Sequence, residues 1–114
     1  MNNTLPEHAP LTQFPIQDNC LQIGGISLTR LVHRVGTTPF YAYDRHKITE
    51  RIGLLRQHLP TEIQLHYAMK ANPMPAVVQL LAGLVDGIDV ASAGEMKIAL
   101  DTPLPPDKIS FAGP

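Results

Sequence analysis

Cysteine, charge of one dominant sign and long apolar runs are scarce in this sequence, and each scarcity excludes a class of protein. Cys20 is the only cysteine, so neither a disulfide framework nor a zinc-type metal site is expected. The formal net charge of −1 comes without a basic patch, which argues against a nucleic-acid partner. No apolar run approaches the roughly 18 residues of a membrane span, and a signal peptide is not recognisable. We expect a soluble, cytoplasmic protein with Cys20 as an inert thiol.

Proline and glycine divide the chain into three predicted parts. Residues 1–20 hold three prolines among polar residues without a sustained period, which is typical of a flexible leader. Residues 21–44 are predicted to begin with a β-hairpin whose turn is Gly24-Gly25, because glycine reaches the positive φ angles of a tight turn. Residues 45–114 form the third part.

The rest of the second part is predicted to contain a short helix and a strand. Thr29 is placed to cap the helix, and Gly36 is placed to end it in a left-handed conformation. The aromatic run at 40–43 favours a strand.

The third part alternates between the helical and the strand period. A first helix is predicted from Arg45 until Pro60 stops it. Strands are then predicted at 63–70, 88–91 and 108–112, with helices at 75–81 and 94–100. Strands separated by helices indicate crossover connections and a parallel sheet.

The predicted strands have one apolar face and one face of small or polar residues. In the first strand Tyr67 and Met69 alternate with His66, Ala68 and Lys70. Strands of a doubly wound sheet are apolar on both faces, whereas a barrel packs its outer face on helices and keeps its inner face for a ligand. Closing such a barrel takes eight strands and about 250 residues, so we expect this α/β chain to be its truncated N-terminal part.

Lys70 ends the first predicted strand, and active sites of parallel barrels lie at that end of the strands. Two interpretations of this lysine follow from the residues alone. Its ammonium could simply reach water at the barrel rim, or a partly desolvated amine could attack a carbonyl carbon and form a Schiff base.

Three motifs distinguish these interpretations through their resemblance to a known family. They are 38–44 (TPFYAYD), 67–72 (YAMKAN) and 89–95 (DVASAGE). In this order they resemble the pyridoxal-phosphate-dependent decarboxylases that act on diaminopimelate, ornithine and arginine, of alanine-racemase-like fold type III. The sequence from Tyr67 onward also resembles an exosortase-associated bacterial branch of this family. The resemblance implies an N-terminal fragment of an alanine-racemase-like (β/α)8 TIM barrel, with residues 21–44 belonging to the β-domain of the full-length protein.

The same resemblance implies the residues of the site. Lys70 carries the Schiff base with pyridoxal 5'-phosphate, and Asp89 and Glu95 belong to the pocket around the cofactor. His66, on the inward face, is a further cofactor-binding candidate. Each has a structural alternative: Asp89 could cap the next helix, Glu95 could be a first-turn acid, and the His66 imidazole could be hydrogen-bonded inside the barrel.

The implied activity is decarboxylation of an amino acid by the full-length protein, acting as a homodimer. A racemase on the same barrel and a non-catalytic homologue that binds a partner remain as alternatives. The phosphate-binding loop, the partner of the pyridine nitrogen and the family's second catalytic residue are not recognisable in these residues. We therefore expect that these residues do not identify the substrate and that the chain alone has no turnover.

Overall fold

The computed structural model describes residues 4–10 and 12–113, which form two compact units, one up to Asp44 and one from Arg45 onward. The first unit contains a three-stranded antiparallel sheet in which the strands follow their order in the chain. Its strands are β1 (Ile16–Gln17), β2 (Cys20–Ile23) and β3 (Ile26–Ser27). The predicted hairpin is confirmed, because Ile23 pairs with Ile26 around two glycines with positive φ.

Strand β1 lies within the part of the chain predicted as a leader, and that prediction is wrong for residues 16–20. Asp18 and Asn19 take φ angles of 52° and 58°, and these two residue types tolerate the left-handed region better than most. They close a second tight turn that pairs Gln17 with Cys20. The leader prediction for residues 1–3 and 11 lies outside the described residues.

Helix α1 (Leu28–Val35) follows β3 directly. The predicted end of this helix is confirmed, since Gly36 has a φ of 82° and its N–H donates to the Val32 carbonyl. The predicted cap is wrong: Ser27, two residues before Thr29, accepts a hydrogen bond from the Arg30 N–H through its side chain. The aromatic run at 40–43 is not a strand, because strand propensity is expressed only where a neighbouring strand is available to pair.

The second unit alternates helices with the strands of a parallel sheet. It contains α2 (Arg45–His58), β4 (His66–Ala68), α3 (Pro75–Ala82), β5 (Gly87–Val90), α4 (Ala93–Leu100) and β6 (Ile109–Phe111). The strands lie in the order β4-β5-β6, and both pairs are parallel. The predicted alternation is confirmed, although β4 is three residues long and not the eight predicted.

The core of this unit lies between the sheet and helices α3 and α4. It consists of Met69, Val78, Ala82, Ile88, Val90 and Ala99. Tyr67 and Ile109 pack against this core from the neighbouring strands, so the predicted apolar face is confirmed for these residues. Phe111 is the exception at 61% exposure, because β6 lies at the edge of the described sheet.

Candidate active site

Lys70 lies in a single 3₁₀ turn (Met69–Ala71) that follows β4. The prediction that Lys70 is the last residue of the strand is therefore wrong by two residues. The Asn72 N–H donates to the Met69 carbonyl at 3.1 Å, and the residue before a proline, here Asn72, is restricted to extended backbone. The lysine still lies at the carboxyl end of a parallel strand, on the connection to α3.

This turn, which we call the lysine turn, is held from both sides. Met69 is fully buried in the core. The Tyr67 hydroxyl donates to the Asn72 carbonyl at 2.7 Å, and the Asn72 side chain accepts from the Met74 N–H at 3.0 Å. Lys70 itself is exposed and has no hydrogen-bond or ion-pair partner within residues 4–10 and 12–113. The backbone of Lys70 is thus fixed while its amine is accessible.

His66 and Asp89 meet on the face of the sheet opposite the core. The His66 Nδ1 lies 2.9 Å from the Asp89 Oδ1, and the two side chains are 32% and 36% exposed. Both groups are therefore paired and still accessible to a ligand. The alternative in which Asp89 caps α4 is wrong, because Ser92 occupies that position and its hydroxyl accepts from the Glu95 N–H at 3.1 Å.

Gly87 is the residue that sequence reasoning missed. A Cβ on Gly87 would lie 2.6 Å from the His66 Cε1 and 2.8 Å from its Nε2, so the imidazole occupies the space that any other side chain would fill. Glycine within a strand is a signal for such close approach. The signal does not say which side chain approaches.

Glu95 takes part in capping α4. Its carboxylate accepts from the Ala91 N–H at 3.2 Å and from the Ser92 hydroxyl at 3.4 Å. The residues Ser92 to Glu95 have the Ser-x-x-Glu pattern of a capping box, with the difference that Glu95 accepts from the N–H of Ala91, one residue before the cap. The structure therefore shows the capping role for Glu95 and brings it to the loop that follows β5.

The strand register places three small or polar residues in one row on the same face. Ala68 pairs with Asp89, and Asp89 pairs with Ser110. These residues and the lysine turn surround the carboxyl end of the described sheet. Within the described residues, no group of three His, Cys, Asp or Glu side chains could hold a metal ion, and no helix there is long and apolar enough to cross a membrane.

Comparison with known families gives one match to the second unit. Residues 45–114 match the family described as "Pyridoxal-dependent decarboxylase, pyridoxal binding domain". The diaminopimelate decarboxylase of Aquifex aeolicus (strain VF5) is 38% identical over 109 residues, which are 96% of this chain and 25% of that protein. The lysine/ornithine decarboxylase of Selenomonas ruminantium is 43% identical over 77 residues, which are 68% of this chain and 19% of that protein.

A solved structure resembles the chain as well. The crystal structure of diaminopimelate decarboxylase from M. jannaschi has a TM-score of 0.70 and 33% sequence identity, over 88% of this chain and 24% of that one. The likeness confirms the predicted fold, in which the described parallel strands and helices are the N-terminal part of a barrel. This chain spans about a quarter or less of the length of the relatives named here.

Proposed function

The chain belongs to the pyridoxal-dependent decarboxylase family, as the three motifs predicted, and we propose that the protein that carries it decarboxylates an amino acid with Lys70 as the cofactor-binding lysine. The observation that carries the proposal is the lysine turn. It holds the Lys70 backbone at the carboxyl end of β4 and leaves the amine without a partner among the described residues. A buried neighbour, Met69, prevents the turn from moving away.

The residues on the sheet face fit pyridoxal phosphate in their chemistry. A primary amine is the group that this aldehyde cofactor requires, and the row of residues at the carboxyl end of the sheet has small side chains at Ala68 and Ser110. When bound, the cofactor supplies an aldehyde for the amine and an aromatic ring that accepts the electron pair left by departing carbon dioxide. Lys70 would hold this cofactor, and Asp89 would place a carboxylate in the pocket around the cofactor.

The residues of the chain contribute position and charge to this reaction. The lysine turn holds the Lys70 backbone at one position beside the site, which reduces the entropic cost of bringing its amine to a partner. Asp89 supplies a carboxylate, in contact with the His66 ring, that can accept a hydrogen bond from a cationic group. Glu95, in the first turn of α4, stabilises the loop after β5 by its hydrogen bonds to Ala91 and Ser92. We propose that Glu95 affects the cofactor pocket by holding this loop in place.

Decarboxylation is favoured over the two alternatives by the relatives. Those reported above are decarboxylases of diaminopimelate and of lysine or ornithine, which favours decarboxylation over racemisation and favours a substrate with a second amino group. An accessible Lys70 argues against a non-catalytic homologue. We further propose a cytoplasmic enzyme that acts as a homodimer, on the strength of the family resemblance.

Covalent trapping tests the role of Lys70. The full-length protein, incubated with pyridoxal phosphate and reduced with borohydride, should carry the cofactor's mass on the peptide that contains Lys70. Lys70→Ala should abolish this label and the carbon dioxide release, whereas Lys97→Ala, on the exposed surface of α4, should leave both unchanged. Label on another lysine of the wild-type protein would overturn the assignment.

A further inference from the structure

The three residues His66, Gly87 and Asp89 form one unit, which we call the imidazole shelf. In the register of β4 and β5, His66 pairs with Gly87, whereas Asp89 pairs with Ala68. The imidazole therefore reaches diagonally along the sheet, to the next pair on the same face, and meets the Asp89 carboxylate at 2.9 Å. It can lie flat in this direction only because Gly87 has no Cβ, which would stand 2.6 Å from the ring.

The chemistry of the contact fixes its direction. An ionised carboxylate has acceptor sites only, so the Nδ1 of His66 must carry the hydrogen. Asp89 Oδ1 accepts this bond, while Oδ2 has no partner within the described parts of the chain. Because the second torsion of aspartate is broad and weakly restricted, the bond from His66 selects one orientation of the carboxylate and directs Oδ2 away from the ring.

We propose that His66 is a positioning residue that orients the Asp89 carboxylate for the site beside the lysine turn, an inference that rests on the proposed function. The location of Asp89 supports this role. Asp89 pairs with Ala68 in the register of the sheet, and Ala68 is two residues before Lys70 in the chain. His66 itself needs no contact with the substrate. Its part is to hold Oδ1, so that Oδ2 faces whatever the Lys70 amine binds.

Two substitutions of His66 separate this role from a merely structural one. Asparagine carries an amide nitrogen on the same Cγ atom that carries Nδ1 in histidine, so His66→Asn can still donate to Asp89. Glutamine moves the amide one atom further out, to about the position of Nε2, so His66→Gln loses the donor while it stays polar. His33→Gln, at an exposed position of α1, is the matched control for losing a histidine.

The first readout is independent of activity. Nitrogen-15 spectra of the full-length protein without cofactor should show the neutral His66 ring protonated at Nδ1. A neutral ring protonated at Nε2 would overturn the proposal, since its bare Nδ1 has nothing to donate to the carboxylate.

The second readout is kinetic. With saturating cofactor we expect kcat of His66→Gln to fall about tenfold, within the roughly 100-fold that a misplacement of about 1 Å costs. We expect KM to change little, and His66→Asn and His33→Gln to retain most of kcat. Equal kcat in wild type and His66→Gln, with Lys70 labelled in both, would overturn the positioning role alone. A wild-type protein with no label on Lys70 would instead overturn the proposed function.

Discussion

Replacing Gly87 by alanine should destabilise the protein, although alanine normally stabilises a strand relative to glycine. The new Cβ would stand 2.6 Å and 2.8 Å from two atoms of the His66 ring, and 2.8 Å from the Lys108 carbonyl oxygen. The ring can rotate away, but the carbonyl belongs to the backbone beside β5 and moves only if the strands separate. Overpacking of this kind costs roughly 1–3 kcal/mol, and the reduced freedom of the unfolded chain offsets about 0.4–1 kcal/mol.

We therefore expect Gly87→Ala to lower the free energy of unfolding by about 1.3 kcal/mol, the difference between the midpoints of these two ranges. Urea denaturation of the full-length protein measures it, with the m-value checked for constancy. Gly53→Ala is the matched control: apart from its chain neighbours and the backbone of its own helix, no described heavy atom lies within 4 Å of its new Cβ, and the same exchange inside a helix should stabilise by roughly 0.5–1 kcal/mol. Stabilisation by both substitutions, with the His66 ring unmoved in nitrogen-15 spectra, would refute the reasoning.

Two further predictions concern carboxylates outside the imidazole shelf. The pKa of Asp86 is held below its ordinary value, chiefly by the hydrogen bond from Arg56 and then by the Leu65 N–H. Because the folded pKa is the lower one, this stabilisation is present above about pH 4 and is lost as the pH falls through the folded value. The unfolding free energy of Asp86→Asn should thus depend less on pH over that range, and curves parallel to wild type would contradict the pairing. Glu95→Gln should keep the Ala91 N–H satisfied and most of the stability, whereas Glu95→Ala should lose about 1 kcal/mol in thermal unfolding; equal losses would contradict the capping role.

The parallel sheet and its core could be predicted because their signal is local. Alternation along a strand depends only on the pleat, so the burial of Ile88 and Val90 follows from the order of the residues. The apolar side chains of α3 and α4 supply the other half of the core in the same way. Phe111 shows the limit of such a pattern. Alternation predicts which face of the sheet a side chain lies on, but it does not predict whether another element packs against that face.

The pairing of His66 with Asp89 could not be predicted, because it depends on the register between two strands. Nothing within β4 or within β5 specifies which residue of one stands beside which residue of the other. Core packing sets the register, and a slip of one residue would move every side chain to the other face. Only in the observed register does His66 lie over Gly87, where the imidazole has room to reach the carboxylate.

The errors in the first unit have a different cause. Asp18 and Asn19 close a tight turn without glycine, so the prediction that looked for glycine missed the strand before it. The aromatic residues at 40–43 have strand propensity but take part in no sheet, and propensity without a partner does not make a strand. Turn chemistry and pairing decided these elements more than composition did.

The lysine turn bears most directly on the two interpretations of Lys70. A lysine that only extends its charge into water gains nothing from a rigid backbone, because its long side chain finds solvent from almost any position. Here a fully buried Met69 precedes the lysine, and hydrogen bonds to both the carbonyl and the side chain of Asn72 follow it. Fixing each residue of a turn costs roughly 1–2 kcal/mol of conformational entropy, and a reactive lysine benefits from that cost because its side chain then starts from one fixed backbone position beside the site. A rigid turn that carries one accessible amine is what covalent attachment of a cofactor requires, and it is the strongest physical support for the proposed role of Lys70.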